Sequence, residues 1–343
     1  MNAGWLREKA GGMKPKVAFI GTGGTISSLG SGPLDILDYG AAENRMQADA
    51  IVRMFPQCAE AAEVIPVNFA NVVSHNIYFD VWRQLVERCE ALLLEHPDLA
   101  GIVIGHGTAS MEETAYFLNL VLKVAVPVVI VGSQRPASAL SSDAGMNLVN
   151  AIRVAASPAA RGMGVLLLLN DEIHAAREVT KTSTFRLQTF RTPDFGVLGH
   201  ADGDAVAFYR APLRRHMPDT EFDVRGLSAL PRVDIAYAYV GSDGTAVRAF
   251  LAAGARGIVS AGFAPGFPGA ADAALLAEAV QQGVVVVQST RAGSGRTFRG
   301  ARARESGFLI ADNLNPQKAR LLLALALTRT SDPGEIARMF AAY

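Results

Sequence analysis

Short apolar runs, most of them closed by glycine, alternate along this chain with longer stretches that mix apolar and polar positions. Residues 17–21, 101–105, 127–132 and 164–170 are near-continuous apolar runs and predict strands buried on both faces. Residues 77–95, 110–123 and 143–156 carry the wider spacing of amphipathic helices. Strands alternating with helices predict parallel strands joined by crossover helices. From about Arg210 to Arg232 the periodicity fails, in a stretch that includes Pro212, Pro218 and Pro231, and predicts a linker. A second alternating unit follows, with strands at 233–240, 257–261, 284–288 and 308–311 and helices at 245–253, 270–282 and 316–328.

The expected fold class is therefore α/β with two domains. A larger N-terminal domain (16–210), Rossmann-like with an open, parallel-rich sheet, follows an N-terminal extension (1–15). A linker (211–232) leads to a smaller C-terminal α/β domain (233–343). Ser110-Met111-Glu112-Glu113 predicts a capping box at the start of its helix, and Asp143 a cap at the start of the next.

Composition narrows the function. A chain of 343 residues is too long for one ordinary core and comfortable for two. Lys+Arg and Asp+Glu are both 32, so the formal charge is zero, and the basic excess of a nucleic-acid binder is missing. Weak self-repulsion favours a homo-oligomer. Cys58 and Cys89, the two cysteines, make neither a disulfide framework nor a metal-ligand spacing, so they are expected to be buried thiols and no metal is expected. The first thirteen residues lack an apolar leader core, and no run of about 18 apolar residues could cross a membrane. A cytoplasmic location is the expectation.

Two loops stand out at strand ends, where open parallel sheets bind ligands. Gly21-Thr22-Gly23-Gly24-Thr25-Ile26 follows the first strand, and Gly105-His106-Gly107-Thr108-Ala109-Ser110 follows the second. Glycines let the backbone come close to a ligand while a threonine presents its hydroxyl. The first loop is not a dinucleotide turn, because Ile26 stands where the third glycine belongs, and no Gly-Lys-Ser/Thr makes it a phosphate loop. Lys181 adds a candidate base. Burial would lower its pKa, and a neutral amine can take the proton of a threonine hydroxyl.

These segments resemble a known family. The loop Thr22–Ile26 (TGGTI), the run 105–115 (GHGTASMEETA), VGSQRP at 131–136, SSDAGMNLVNA at 141–151, EVTKTST at 178–184 and LNPQKARLLLALALT at 314–328 occur in the order of the bacterial-type asparaginases and glutaminases. The resemblance implies an amidohydrolase that works through an acyl-enzyme with no cofactor, on a small-molecule amide. It implies Thr25 as nucleophile, Tyr39 as the tyrosine that polarises it, and Thr108 with Lys181 as a second threonine and its lysine. Gly24, Ser74, His75, Gly107 and Ala109 fall at its substrate-binding positions, His75 in place of the usual glutamine. A homotetramer of tight dimers, each site completed by the neighbour's second domain, is implied as well. A lactone or ester hydrolase and a non-catalytic carboxylate binder are alternatives on the same scaffold.

Three segments depart from the family pattern. Ala109 replaces the aspartate after the second threonine, Gly262–Phe267 (GFAPGF) replaces an asparagine-rich loop, and Arg302 and Arg304 dominate the segment where a glutamate is expected, with Glu305 the alternative counterpart. The replaced groups are those that hold a substrate ammonium, so an amide lacking the α-amino group is the expected substrate. His106 is expected to be structural, and Arg135 to anchor backbone or carboxylates.

Overall fold

The computed structural model describes residues 13–39 and 44–343, so most of the N-terminal extension and Gly40, next to Tyr39, lie outside the described residues. The chain divides into two compact units at Thr220/Glu221.

In the N-terminal unit the sheet runs β10-β9-β6-β5-β4-β3-β1-β2. Five strands are parallel: β1 (Lys16–Gly21), β2 (Glu63–Asn68), β3 (Leu99–Gly105), β4 (Val128–Val131) and β5 (Val165–Leu169). The antiparallel extension is built from β6 (Glu172–Ala175), β9 (Gly199–Ala201) and β10 (Val206–Phe208). β7 (Thr180–Lys181) and β8 (Phe190–Arg191) form a separate two-stranded hairpin.

The parallel strands β1, β3, β4 and β5 are buried almost throughout, as their unbroken apolar runs require. β2 is an edge strand and carries Pro66, which has no N–H to donate and is tolerated there. Helix α5 (Ala144–Ala156) lays Leu148, Ala151 and Ile152 on Val17, Phe19, Val103 and Val129. Helices α1 (Ala48–Met54) and α2 (Cys58–Ala61) contribute Ile51 and Cys58 to the same cluster. Helices α3 (Phe79–Glu95) and α4 (Met111–Val121) are locked to each other by a Trp82 ring stacked on Phe117 at 4.6 Å. The indole N–H of Trp82 also donates to Thr114 Oγ1 at 2.8 Å. Such a pair contributes about 0.5–1.5 kcal/mol beyond its burial.

Strand order positions the site. From β1 the chain steps outward to β2, then returns to the other side of β1 as β3. The β1/β3 boundary is therefore the topological switch point, where the connections leave a crevice beyond the strand ends. Both glycine-threonine loops open there.

The C-terminal unit is a parallel sheet in sequence order, β11 (Val233–Tyr237), β12 (Gly257–Gly262), β13 (Val285–Thr290) and β14 (Leu309–Ile310). Its helices are α6 (Thr245–Ala252), α7 (Ala270–Gln281), α8 (Ala301–Glu305), α9 (Pro316–Ala326) and α10 (Pro333–Ala342). α9 and α10 start with proline behind a capping side chain. Asn315 Oδ1 accepts from Lys318 N at 3.1 Å, and Asp332 Oδ1 accepts from Glu335 N at 2.7 Å. Phe222 packs on Tyr343 with ring centroids 5.0 Å apart, and Glu221 N donates to the Tyr343 hydroxyl at 2.8 Å. The last part of the pattern-free stretch thus packs within this unit.

Among the described residues, no helix is long and apolar enough to cross a membrane, and no cluster of His, Cys, Asp or Glu is arranged to hold a metal. Cys58 and Cys89 are buried free thiols, pushed up by burial to about 11 and about 12.

Candidate active site

The first loop leaves β1 at Gly21. Thr22 N and Thr22 Oγ1 both donate to Gly105 O, at 3.0 and 2.8 Å, tying this loop to the end of β3. Gly24 then takes φ 86° and ψ −173°, a conformation essentially reserved for glycine. Its carbonyl accepts from Ser27 N, Ser27 Oγ and Ser28 Oγ at 3.0, 2.7 and 3.0 Å. This turn fixes the short 3-10 segment Thr25–Ser27 and, with it, the Thr25 hydroxyl.

The second loop meets the first backbone to backbone. A Cβ on Gly24 would lie 2.2 Å from Gly107 Cα, and one on Gly107 would lie 2.7 Å from Ser74 Oγ. Three segments of chain therefore converge at a contact only glycine permits, and Thr25 and Thr108 each follow the touching glycine by one residue. Ser74 is buried, and its Oγ has no hydrogen-bond partner among the described residues. His75 is exposed, as is Ala109.

Ser110 does not close a capping box. Its hydroxyl donates to Ser74 O at 2.7 Å and pins the Ser74 segment to the start of α4. Asp143 also differs from its expected role. Its carboxylate accepts from Gln134 N and Arg135 N, both at 2.9 Å, and so shapes the loop after β4 rather than capping α5. Arg135 anchors backbone, donating to Ser141 O at 2.8 Å.

Two hydroxyl pairs result. Thr25 Oγ1 and Tyr39 Oη lie 3.2 Å apart. Lys181 Nζ donates to Thr108 Oγ1 at 2.7 Å. Lys181 is held on β7, which pairs with β8 through Phe190, a fully buried anchor. Burial lowers the Lys181 pKa, opposed by the nearby Glu112 carboxylate. Glu112 Oε1 also lies 3.4 Å from Lys181 N. Thr22 and Glu112 support the site, and the glycine-threonine pattern alone does not single them out.

His106 is excluded as a base by its surroundings. Its ring is fully buried, Nδ1 lies 2.7 Å from Gly107 O and so carries the proton, and burial pushes its pKa down to about 4. By contrast, the backbone N–H groups of Gly107, Thr108 and Ala109 donate to nothing among the described residues, just ahead of α4. A helix start with free N–H groups favours negative charge. The arrangement can present two hydroxyls, a base and an anion-stabilising loop to one small substrate.

A sheet with its switch point at two hydroxyl-bearing loops, one backed by a partly buried lysine, places a candidate small-ligand site at the strand ends. Comparison with known proteins gives the family. Residues 16–214 match the model "Asparaginase, N-terminal", and residues 232–340 match "Glutaminase/Asparaginase C-terminal domain". The chain belongs to the asparaginase family. It is 41% identical to "L-asparaginase 2" of Bacillus subtilis over 96% of this chain and 87% of that protein. It is 40% identical to "Probable L-asparaginase periplasmic" of Haemophilus influenzae over 95% of this chain and 92% of that protein. The solved structure "Probable Cytoplasmic L-asparaginase" from Campylobacter jejuni is 38% identical, with a TM-score of 0.91 over 96% of this chain and all of that one.

Proposed function

We propose that this asparaginase-family amidohydrolase cleaves a small carboxamide through Thr25, by way of an ester on that residue. The reading rests on the pairing of the two threonines with Tyr39 and Lys181, at 3.2 and 2.7 Å, on loops that touch at Gly24 and Gly107. The Thr25 oxygen adds to the amide carbon as its proton passes to the Tyr39 oxygen, which releases its own phenolic proton towards the amide nitrogen. The oxyanion is met by backbone N–H groups ahead of α4. The nitrogen, having received that proton, departs as ammonia and leaves the acyl group on Thr25. Lys181, its pKa lowered by burial and its Nζ on Thr108 Oγ1, acts through that hydroxyl to take a proton from the water that releases the acid. Ser74 Oγ and the backbone around Gly107 hold the substrate's carboxylate end. The direct test is ammonia release over a panel of amides.

The substrate in this reading lacks an α-ammonium group. Ala109 puts a methyl group at the exposed position after Thr108, and the neighbouring Glu112 faces Lys181. A desolvated ammonium without a counter-charge costs several kcal/mol. Succinamate should therefore have a higher kcat/KM than L-asparagine. Ala109→Asp should shift the ratio towards L-asparagine by about one to two decades, the scale of one close charge pair. A wild-type enzyme that strongly prefers L-asparagine would refute the argument.

The active form is a cytoplasmic homo-oligomer, a tetramer in this proposal, supported by zero net charge and by family membership. Sedimentation and assay at one concentration should show activity in the oligomer. A fully active monomer would contradict it.

A further inference from the structure

The amine of Lys181 is carried by a small hairpin that stands apart from the main sheet. β7 and β8 are two residues each and pair only with each other. A two-stranded hairpin is marginal in water by itself, so its side chains must dock it. Thr189 closes the turn between the strands. Its carbonyl accepts from Thr182 N and Thr182 Oγ1 at 2.8 and 2.9 Å, and its hydroxyl accepts from Ser183 N at 3.1 Å. Those bonds shape the hairpin without attaching it to the sheet.

The attachment lies at the other end of β8. Thr192, one residue past that strand, has its Oγ1 2.9 Å from Nδ1 of His174 on β6. Both side chains are buried. His174 pairs opposite Leu167 of β5, so the ring stands on the large sheet itself. Glu172, two residues earlier and on the same face of the strand, puts Oε2 3.4 Å from His174 Nε2. The Glu172 carboxyl is held below the ordinary range, first by His174 and, against the cost of burial, by Arg191 and His200 as well. A carboxylate beside Nε2 keeps the ring proton on that nitrogen and leaves Nδ1 to accept from the Thr192 hydroxyl. Thr192 is buried, so this carboxylate–imidazole–hydroxyl row serves attachment rather than chemistry.

The row bears on the amide site through register. Thr192 lies two residues from Phe190, and Phe190 is the residue opposite Lys181 in the hairpin. A lysine stem is long and flexible, so its amine stays on Thr108 Oγ1, at 2.7 Å, only if its backbone is fixed. We infer that His174 is a positioning residue for Lys181, acting through Thr192 and β8, with Glu172 setting its tautomer. The inference rests on the role proposed above for Lys181 in releasing the acyl group.

Ammonia release from succinamate and from L-asparagine tests it, with acid quenching and mass spectrometry of the Thr25 peptide. Thr192→Val removes the hydroxyl and His174→Leu removes the ring. Each should lower kcat about tenfold with KM changed by less than about twofold, within the range produced by misplacing a group by about 1 Å. Each should also raise the quenched fraction of acylated Thr25, as Lys181→Met does, because acyl release is the step that slows. A protein that is only less stable loses sites without changing how the remaining ones partition. The double variant should be no slower than the slower single, since both changes break one bond. Near-wild-type kcat in Thr192→Val, losses that multiply in the double variant, or slowed turnover with no rise in acylated Thr25 would each overturn the positioning role. Turnover of neither amide by the wild type, or a Lys181→Met variant with wild-type turnover or no acyl accumulation, would contradict the proposed role of Lys181 and this inference with it. Those two controls tell a failure of the proposed chemistry apart from a failure of the His174 attachment alone.

Discussion

Thr25→Ala and Thr108→Ala should each lower turnover by at least about a hundredfold while the protein remains folded, the usual scale for losing a group that takes part in the chemistry. In the proposed mechanism Thr25 supplies the attacking oxygen, and its hydroxyl is bonded to Tyr39 and to no other residue described. Thr108 is the polar contact of Lys181 Nζ, so its loss strands a desolvated amine with no hydroxyl to act through. Neither hydroxyl holds the fold: the loops are tied by Thr22, Ser27, Ser28 and Ser110 instead. Circular dichroism and ammonia release on the same samples check both parts. Near-wild-type turnover in either variant removes that residue from the mechanism.

Gly24→Ala should abolish turnover and cost about 3 kcal/mol of stability in the N-terminal unit. Two effects add. An L-residue at φ 86° and ψ −173° is strained by about 1–3 kcal/mol. The added methyl carbon would also lie 2.2 Å from Gly107 Cα, a backbone atom that cannot rotate away. The two threonine loops must then part, and their hydroxyls with them. Gly162→Ala is the control, since Gly162 has φ 70° but open space around its Cβ position. It should show the backbone strain alone and keep full activity. Urea unfolding of both variants measures the difference. Equal losses of stability with activity retained would mean that the loop contact is not needed.

Much of the N-terminal sheet is legible in the sequence because β1, β3, β4 and β5 are buried on both faces and so are written as unbroken apolar runs. β2 is not legible for the opposite reason. As an edge strand it is exposed at Glu63 and Asn68 and carries Pro66 at its centre, which reads as a breaker. The antiparallel strands β6 to β10 have two to four residues each, too few for a periodicity to register. β11 ends at Tyr237, short of the expected residue 240.

At the site, the two loops are legible because glycine spacing is a backbone constraint that any sequence must display. Ser110 and Asp143 are misread because capping is a local rule, whereas their partners are Ser74 O, 36 residues away, and the amides of Gln134 and Arg135. No local pattern marks Ser74, whose place in the site comes from the approach of a third segment to Gly107. The family resemblance, carried by motifs spread along the chain, is what points to it.

In the proposed mechanism Thr25, and not Thr108, carries the acyl group. The most direct measurement is acid quenching during turnover of succinamate, followed by mass spectrometry of the digested protein. A succinyl adduct is expected on the peptide containing Thr25, absent in Thr25→Ala. An adduct on the Thr108 peptide, with Thr25 unmodified, would contradict it.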